Sequence, residues 1–487
     1  MYYWVFFLML QWSLCVHAGD FFDDPLDTDS LVGASAGKQA NSPQKGDPCL
    51  TTGRKPEVWS LLEIIDQALC HNPQTWQAWA GARVQAAQVG GAKTAYLPTV
   101  SVSVPVNESK NSSSVNSGTG GSNISGAAVG LQTRMTPAAT LNYLLYDFGG
   151  RNARLDNAIA ALEAANWSQN VAIQNVMFGA VQAYYQMFAA QAAAEAALIS
   201  WQTSDEILKA TQLRHDVGAV AISDVLQAQT AATQAKLTLQ QAEGNSRISM
   251  GALATAMGMD AGPKLRVATP DYQNPDNERE QDVNHLIEQA KNMRPDLAAA
   301  AAQVKAAEAN VRAAEATGMP QISLTGTYGY NFSSLNNYAA LVSWSAGLQI
   351  SMPLFNGFST TYQVHSAKEQ VALQAANRDQ LEQTISQAVW SSYHSMNTAR
   401  ETLRTSLVLL DNATQNEGVL YGRYQAGAGN IIDLLNSQVN LSNARVQLVQ
   451  SRYNWSIAKA QLAQAIGRLD LDELMRDFKL TSGKPRS

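Results

Sequence analysis

Charge is scarce in this chain of 487 residues. Asp, Glu, Lys and Arg together make up 15% of it, and the formal net charge is −6. No basic run offsets that balance, which argues against nucleic acid as a partner. Long hydrophobic runs are also missing. Beyond the first residues nothing approaches the ~20 apolar residues of a membrane-spanning helix. The six histidines are scattered and form no His-Glu-x-x-His zinc motif. There is no phosphate-binding loop and no pattern that calls for a cofactor. Gly33-Ala34-Ser35-Ala36-Gly37 has nucleophile-elbow spacing, but no strand precedes it. These absences point away from an enzyme.

Cysteine is rare too, with three in the chain. Cys15 directly follows the apolar N-terminal segment Tyr2 to Leu14, and Val16-His17-Ala18 then forms a small-residue cleavage site. This reads as an export signal over residues 1–18. It lacks a basic start, and the alternative reading is a membrane anchor. Trp12-Ser13-Leu14 is too bulky for lipid attachment at Cys15. Cys49 and Cys70 then remain, and an even count in an oxidising compartment suggests a disulfide. Such a bond would tie the extension 19–58 to the first helix and contribute about 3 kcal/mol in the chain-entropy model. The alternative is two unpaired small core residues.

What is abundant is repetition. Ile65 to Ser101 aligns without a gap on Ile287 to Ser323. Arg214, Gly218, Ala219, Asp224, Gln229 and Gly258 recur as Arg423, Gly427, Ala428, Asp433, Gln438 and Gly467. A unit this long is half of a pseudo-symmetric molecule, not a solenoid repeat. The first copy is placed at 59–258 and the second at 282–467, with a linker at 259–281 and a tail at 468–487.

Each copy opens with an Ala- and Gln-rich helix, Trp59 to Lys93 or Asp282 to Thr317, ended by Pro98 or Pro320. Strict alternation follows: Val100, Val102, Val104 and Val106 in one copy, and Ile322, Leu324, Tyr328, Tyr330 and Phe332 in the other. It returns in Val342, Trp344, Ala346, Leu348 and Ile350. Period two means strands with one apolar and one polar face. Each copy therefore carries a β-hairpin, with the polar run Asn107 to Gly126 as a loop in the first. More than sixty residues without proline follow each hairpin, long enough for a helix of roughly 100 Å. Along the second such helix the apolar stripe Leu381, Ile385, Ala388, Ser392, Met396, Ala399, Leu403, Leu407 and Leu410 has nearly the spacing of a straight helix. A glycine break precedes the returning helices Ile222 to Met257 and Ile431 to Ile466, which form antiparallel pairs with the long ones.

Four strands are too few to close a barrel. Two readings of the hairpins stand: a half-buried sheet packed on helices, or one third of a twelve-stranded barrel completed by two further copies. In the second reading Tyr328, Tyr330, Phe332 and Trp344 form an aromatic girdle at the lipid boundary.

Val217-Gly218-Ala219-Val220-Ala221-Ile222-Ser223-Asp224-Val225, Tyr424-Gln425-Ala426-Gly427 and Asp433-Leu434-Leu435 resemble the TolC family of outer-membrane efflux and secretion channels. So do Ala95-Tyr96-Leu97-Pro98 and Met352-Pro353-Leu354-Phe355-Asn356-Gly357. The resemblance implies a mainly α homotrimer with a twelve-stranded β-barrel in outer-membrane lipid and a twelve-helix α-barrel in the periplasm of a Gram-negative bacterium. It implies two partners as well: a periplasmic adaptor (membrane fusion protein) and an inner-membrane transporter of ABC or RND type. Ala68 to Pro73 is most similar to members that serve type I protein secretion, with multidrug efflux as the alternative. A non-conducting coiled-coil envelope protein is the reading from another class. The resemblance carries an aperture role onto Ser223, Asp224, Tyr424 and Asp433, where a carboxylate ring would favour cations. The plainer reading of both aspartates is a first-turn charge on the helix dipole. His215 stands opposite Tyr424 in the repeat, either as a pH-sensitive group or as a bland exposed histidine. Gly429 and Asn436 replace an arginine and an aspartate found in some members. Arg214, Gly218, Arg423 and Gly427 mark the turns: the glycines allow positive φ, the arginines suit a helix C-terminus, and the resemblance adds adaptor contact nearby.

Overall fold

The computed structural model describes residues 24–32, 57–110, 131–262, 265–270, 282–333 and 341–469. The signal segment, most of the extension, Cys49, the loop at 111–130 and most of the linker and tail lie outside the described residues. Cys70 is disulfide-bonded.

In chain order the elements are α1 (Leu61–His71), α2 (Pro73–Thr94), β1 (Thr99–Ser103), β2 (Val106–Lys110), β3 (Leu131–Met135), β4 (Ala138–Tyr146), α3 (Gly150–Asp216) and α4 (Ile222–Ala256). The second copy supplies α5 (Val283–Met293), α6 (Pro295–Ala316), β5 (Gln321–Ser333), β6 (Leu341–Ser351), α7 (Ser359–Gln425) and α8 (Ile431–Ile466). Two compact units result, and each draws on both copies. One holds Arg83–Glu163 and Ala302–Ala375; the other holds Ala164–Ala301 and Ala376–Ser487 with the first short helix.

The opening helix of each copy is broken, contrary to the single helix expected from the sequence. The breaks fall at Asn72 and Arg294, both extended, with ψ of 129° and 124°. Pro73 and Pro295 follow them, and a proline disfavours the helical conformation of the residue before it while suiting the first position of the next helix. The first short helix starts on a capping box. Ser60 accepts from the Glu63 amide, and the Ser60 amide donates back to the Glu63 carboxylate at 2.7 Å. Its buried face, Leu61, Ile64, Ile65 and Ala68, packs on Val181, Tyr184 and Met187 of α3 and on Leu253 of α4. The second copy repeats the arrangement, with Leu286 and Ala290 against Ile385 and Val389 of α7 and Leu462 and Ile466 of α8.

The returning helices end on glycines in the left-handed region: Gly258 at φ 71° and Gly467 at φ 82°. Both press on the broken opening helix. A Cβ at Gly258 would lie 2.4 Å from the His71 carbonyl oxygen, and one at Gly467 would lie 3.2 Å from that of Met293.

Burial along α7 corrects the expected stripe. Ile385, Val389, Ser392, Leu403 and Ser406 are buried, while Leu407 is exposed. With the half-buried Met396, Ala399 and Leu410 between and beyond them, the steps alternate between four and three, the seam of a coiled coil rather than of a straight helix. Where a leucine was expected, the Ser406 hydroxyl meets that of Ser451 on α8 at 2.9 Å.

In the first unit all six strands form one antiparallel sheet. β5 pairs with β4, β3 and β6, and β1 and β2 form its far side. The first hairpin extends further than expected, because Val106–Lys110 is strand rather than loop. Each of its arms is interrupted at a proline, Pro105 or Pro137, which cannot donate to the ladder. The neighbouring amides use the proline carbonyls instead, Thr136 N–H to Pro105 O at 3.0 Å and Tyr330 N–H to Pro137 O at 2.9 Å. Arg151 locks the end of β4 to the start of α3. It donates to the Leu144 and Leu145 carbonyls at 2.7 and 2.9 Å, pairs with buried Asp147 at 3.5 Å and lies over the Tyr96 ring.

Replacing Gly258 by alanine is expected to cost about 3 kcal/mol, since strain at positive φ adds to overlap with a fixed carbonyl. Arg151→Ala is expected to cost about 1–3 kcal/mol, because the Leu144 and Leu145 carbonyls lose a charged donor and buried Asp147 keeps only Arg154 at 3.8 Å and the backbone amide of residue 151. Denaturant midpoints of the purified protein in detergent measure both. A loss below ~0.5 kcal/mol in either variant would contradict the packing described.

Candidate functional site

Two surfaces stand out, one in each unit. The first is a face of the sheet. Register places Val100, Val102, Leu141, Tyr143, Leu324, Tyr328, Trp344, Leu348 and Ile350 on one side. The other side carries Ser101, Thr140, Thr325, Thr327, Ser345 and Gln349. Apolar side chains are exposed here: Val100 at 69%, Trp344 at 76% and Ile350 at 71%. No helix covers β6, which is exposed along its whole length. Between Val342 and Ile350 the face spans roughly 26 Å of strand, close to the ~25 Å apolar belt of an outer-membrane barrel. Glu108 and Lys110 lie at the loop end of β2. Arg134, opposite Asn107, belongs to the polar side. Among the described residues β1 pairs only with β4 and β6 only with β5, so both outer edges are open there.

The four aromatics named from the sequence gather at one end of this face. Tyr328 lies directly opposite Trp344 and meets Tyr330 edge-on at 5.7 Å, and Tyr330 stacks on Phe332 at 6.2 Å. The sequence reading missed a second aromatic group at the other ends of the strands. Tyr146 meets Phe148 at 4.8 Å, and Phe355 meets Phe358 at 5.5 Å, all exposed. The signal was present in Tyr146-Asp147-Phe148 and Phe355-Asn356-Gly357-Phe358, the motifs that close each hairpin.

The second surface is the pair of turns joining α3 to α4 and α7 to α8. Both are built alike. Gly218 and Gly427 have φ of 74° and 73°. Ala219 N–H reaches back to Arg214 O at 2.8 Å, and Ala428 N–H to Arg423 O at 2.9 Å. Gly218 N–H bonds His215 O, and Gly427 N–H bonds Tyr424 O. This is the Schellman arrangement, in which a left-handed residue lets the chain satisfy the last helical carbonyls.

The side chains diverge. Arg214 crosses to the other copy instead of serving its own helix end. It donates to the Tyr424 and Gln425 carbonyls, both at 3.1 Å, and lies 4.7 Å from the Tyr424 ring centre. Its charge meets the negative end of α7 and the ring face together. Tyr424 is 7% exposed, and its hydroxyl meets buried Thr211 at 3.1 Å. Arg423 is exposed, and no hydrogen bond or ion pair of its side chain occurs among the described residues. Thr211 was not foreseen, although its spacing from buried Ser204 and Ile207 places it on the same helical seam.

Asp224 and Asp433 both fall in the first turns of α4 and α8. Ser223 donates to Asp224 at 3.3 Å; α4 has no side-chain cap, whereas Asn430 caps α8 by accepting from the Ile432 amide at 3.0 Å. Asp433 and Asn436 are exposed. Within one chain no hydrogen bond joins Asp224, Asp433 and Tyr424 among the described residues. His215 faces Asp216 at 3.7 Å. A Cβ at Gly429 would lie 2.8 Å from the Tyr424 amide nitrogen, so this turn has no room for a side chain there.

Arg214→Ala is expected to cost about 1–2 kcal/mol, because the Gln425 carbonyl and the Tyr424 ring lose a cation and the Tyr424 carbonyl keeps only the Gly427 amide. Arg423→Ala is expected to cost less than ~0.5 kcal/mol. Equal losses in urea titrations would refute the asymmetry.

The outer membrane efflux protein model matches the chain over residues 64–259 and 286–468. Protein CyaE of Bordetella pertussis is 29% identical over 419 residues, covering 86% of each chain. Outer membrane efflux protein BepC of Brucella suis is 25% identical over 435 residues, covering 87% of this chain and 88% of its own. Among solved structures, the CmeC outer membrane channel of Campylobacter jejuni superposes with a TM-score of 0.73 at 19% identity, covering 91% of this chain and 98% of that one.

Proposed function

The chain belongs to the outer membrane efflux protein family and is an outer-membrane channel, and we propose that three copies close one pore and export protein cargo as the outer component of a type I secretion system. The observation that carries this reading is the exposed apolar face with two open edges. In hydrocarbon every backbone N–H and C=O must be paired, so a sheet with free edges persists there only when closed. Three times four staggered strands give twelve. The girdle Tyr328, Tyr330, Phe332 and Trp344 and the second group at Tyr146 and Phe355 mark the two lipid boundaries.

At the turns, Asp224 and Asp433 repeat in each copy of the chain, giving two rings of three carboxylates that favour cations. Arg214, Thr211 and Tyr424 tie α3 to α7 and set the aperture's resting shape. Beside them Leu213, Val217 and Ile222 are exposed. An apolar patch of this kind suits a protein partner, and we assign it to the periplasmic adaptor, which links the channel to an inner-membrane transporter. The second reading is a small-molecule efflux duct; the name of BepC, an outer membrane efflux protein, supports efflux.

Purified protein in planar bilayers is expected to carry a cation-selective current. Asp224→Asn with Asp433→Asn is expected to lower the cation preference at least threefold, read from the reversal potential in a salt gradient. Unchanged selectivity would remove the rings from the pore. A wild-type protein that forms lipid-inserted trimers without any current would overturn the channel reading.

A further inference from the structure

Gln438 lies one turn past Asp433 on α8, in the unit that holds both turns. It is 9% exposed, and neither its Nε2 nor its Oε1 has a hydrogen-bond partner. Its counterpart in the first copy, Gln229, is exposed. The duplication thus placed the same amide in solvent once and in a dry contact once. Buried polar groups are nearly always paired, and an unpaired one raises the free energy of the arrangement that buries it. Space that water could enter is close by. A groove of about 450 Å³ is lined by Gln438 with Glu206 and Arg214 of α3 and Glu417 and Tyr421 of α7. Solvent in that groove stops short of the amide atoms, which are closed off by the packing.

We propose that Gln438 is a built-in release element: its unpaired amide destabilises the packed position of α8 at the tip, so that a small outward displacement, admitting groove water to the amide, is favoured. The inference rests on the reading of these turns as the aperture. It assigns Gln438 a role distinct from the aspartates. They choose the ion, and Gln438 sets how readily the helices part. Neighbouring Ser437 has no such effect, because its hydroxyl is satisfied by the Leu434 carbonyl at 2.7 Å.

Gln438→Met keeps the volume and removes the unpaired groups. It is expected to lower the open fraction in single-channel recordings about tenfold, equivalent to ~1.4 kcal/mol, and to raise the thermal midpoint by a few degrees. Gln229→Met, on the exposed counterpart, is expected to change neither. A Gln438→Met protein that is less stable than wild type, or that is as stable and opens as often, overturns the proposal. Wild-type protein without current would defeat the aperture reading alone, and the thermal comparison would still decide whether Gln438 destabilises the packed state.

Discussion

The constraint on which this molecule depends is that its sheet cannot satisfy itself. The strands expose an apolar face along their length, and among the described residues the two outer edges have no partner strand. In water such a surface is a site of aggregation. In lipid the apolar face is favourable, but an open edge is not tolerated. The two demands are met together only when the edges find partners. Membership of an outer-membrane channel family accounts for a sheet that would otherwise be a liability. No helix among the described residues is long and apolar enough to cross a membrane.

Duplication supplied a backbone and then allowed its side chains to drift. Both copies break their opening helix at a proline, end their returning helix on a left-handed glycine pressed against that break, and turn at the tip through the same hydrogen bonds. These are backbone requirements, set by sterics that only glycine or proline meets. The divergence lies in residues under no such restriction. Arg214 is engaged and the Arg423 side chain has no hydrogen-bond or ion-pair partner among the described residues; Gln229 is exposed and Gln438 is buried. One chain thereby gains two kinds of helix pair from one repeated unit, and these differences lie at or near the turns.

Much of this was legible beforehand. Alternation located the strands, because the pleat maps directly onto a period of two. The prolines and glycines marked breaks and turns, although Pro73 and Pro295 were read as interior to a helix when they begin one. The stripe on α7 missed the observed seam by one position at two places, taking Ala388 for Val389 and Leu407 for Ser406, because a near-straight helix was expected where the seam is that of a coiled coil. Close approach of two helices admits serine, whose hydroxyl is satisfied across the contact. The polar stretch after Asn107 was read as loop for a different reason: a strand exposed on both faces needs no apolar residues to extend.

The sequence by itself determined the duplication, the element order, the amphipathic hairpins and the placing of glycines and aspartates at the turns. Each of these follows from spacing along the chain, which local sterics and periodicity convert into structure. Only the tertiary structure decided that Arg214 reaches the end of α7, that Tyr424 meets Thr211 and that Gln438 loses its water. These contacts join residues about two hundred positions apart, or depend on which face a neighbouring helix covers. Burial is a property of the assembled helices, and no pattern local to one segment encodes it.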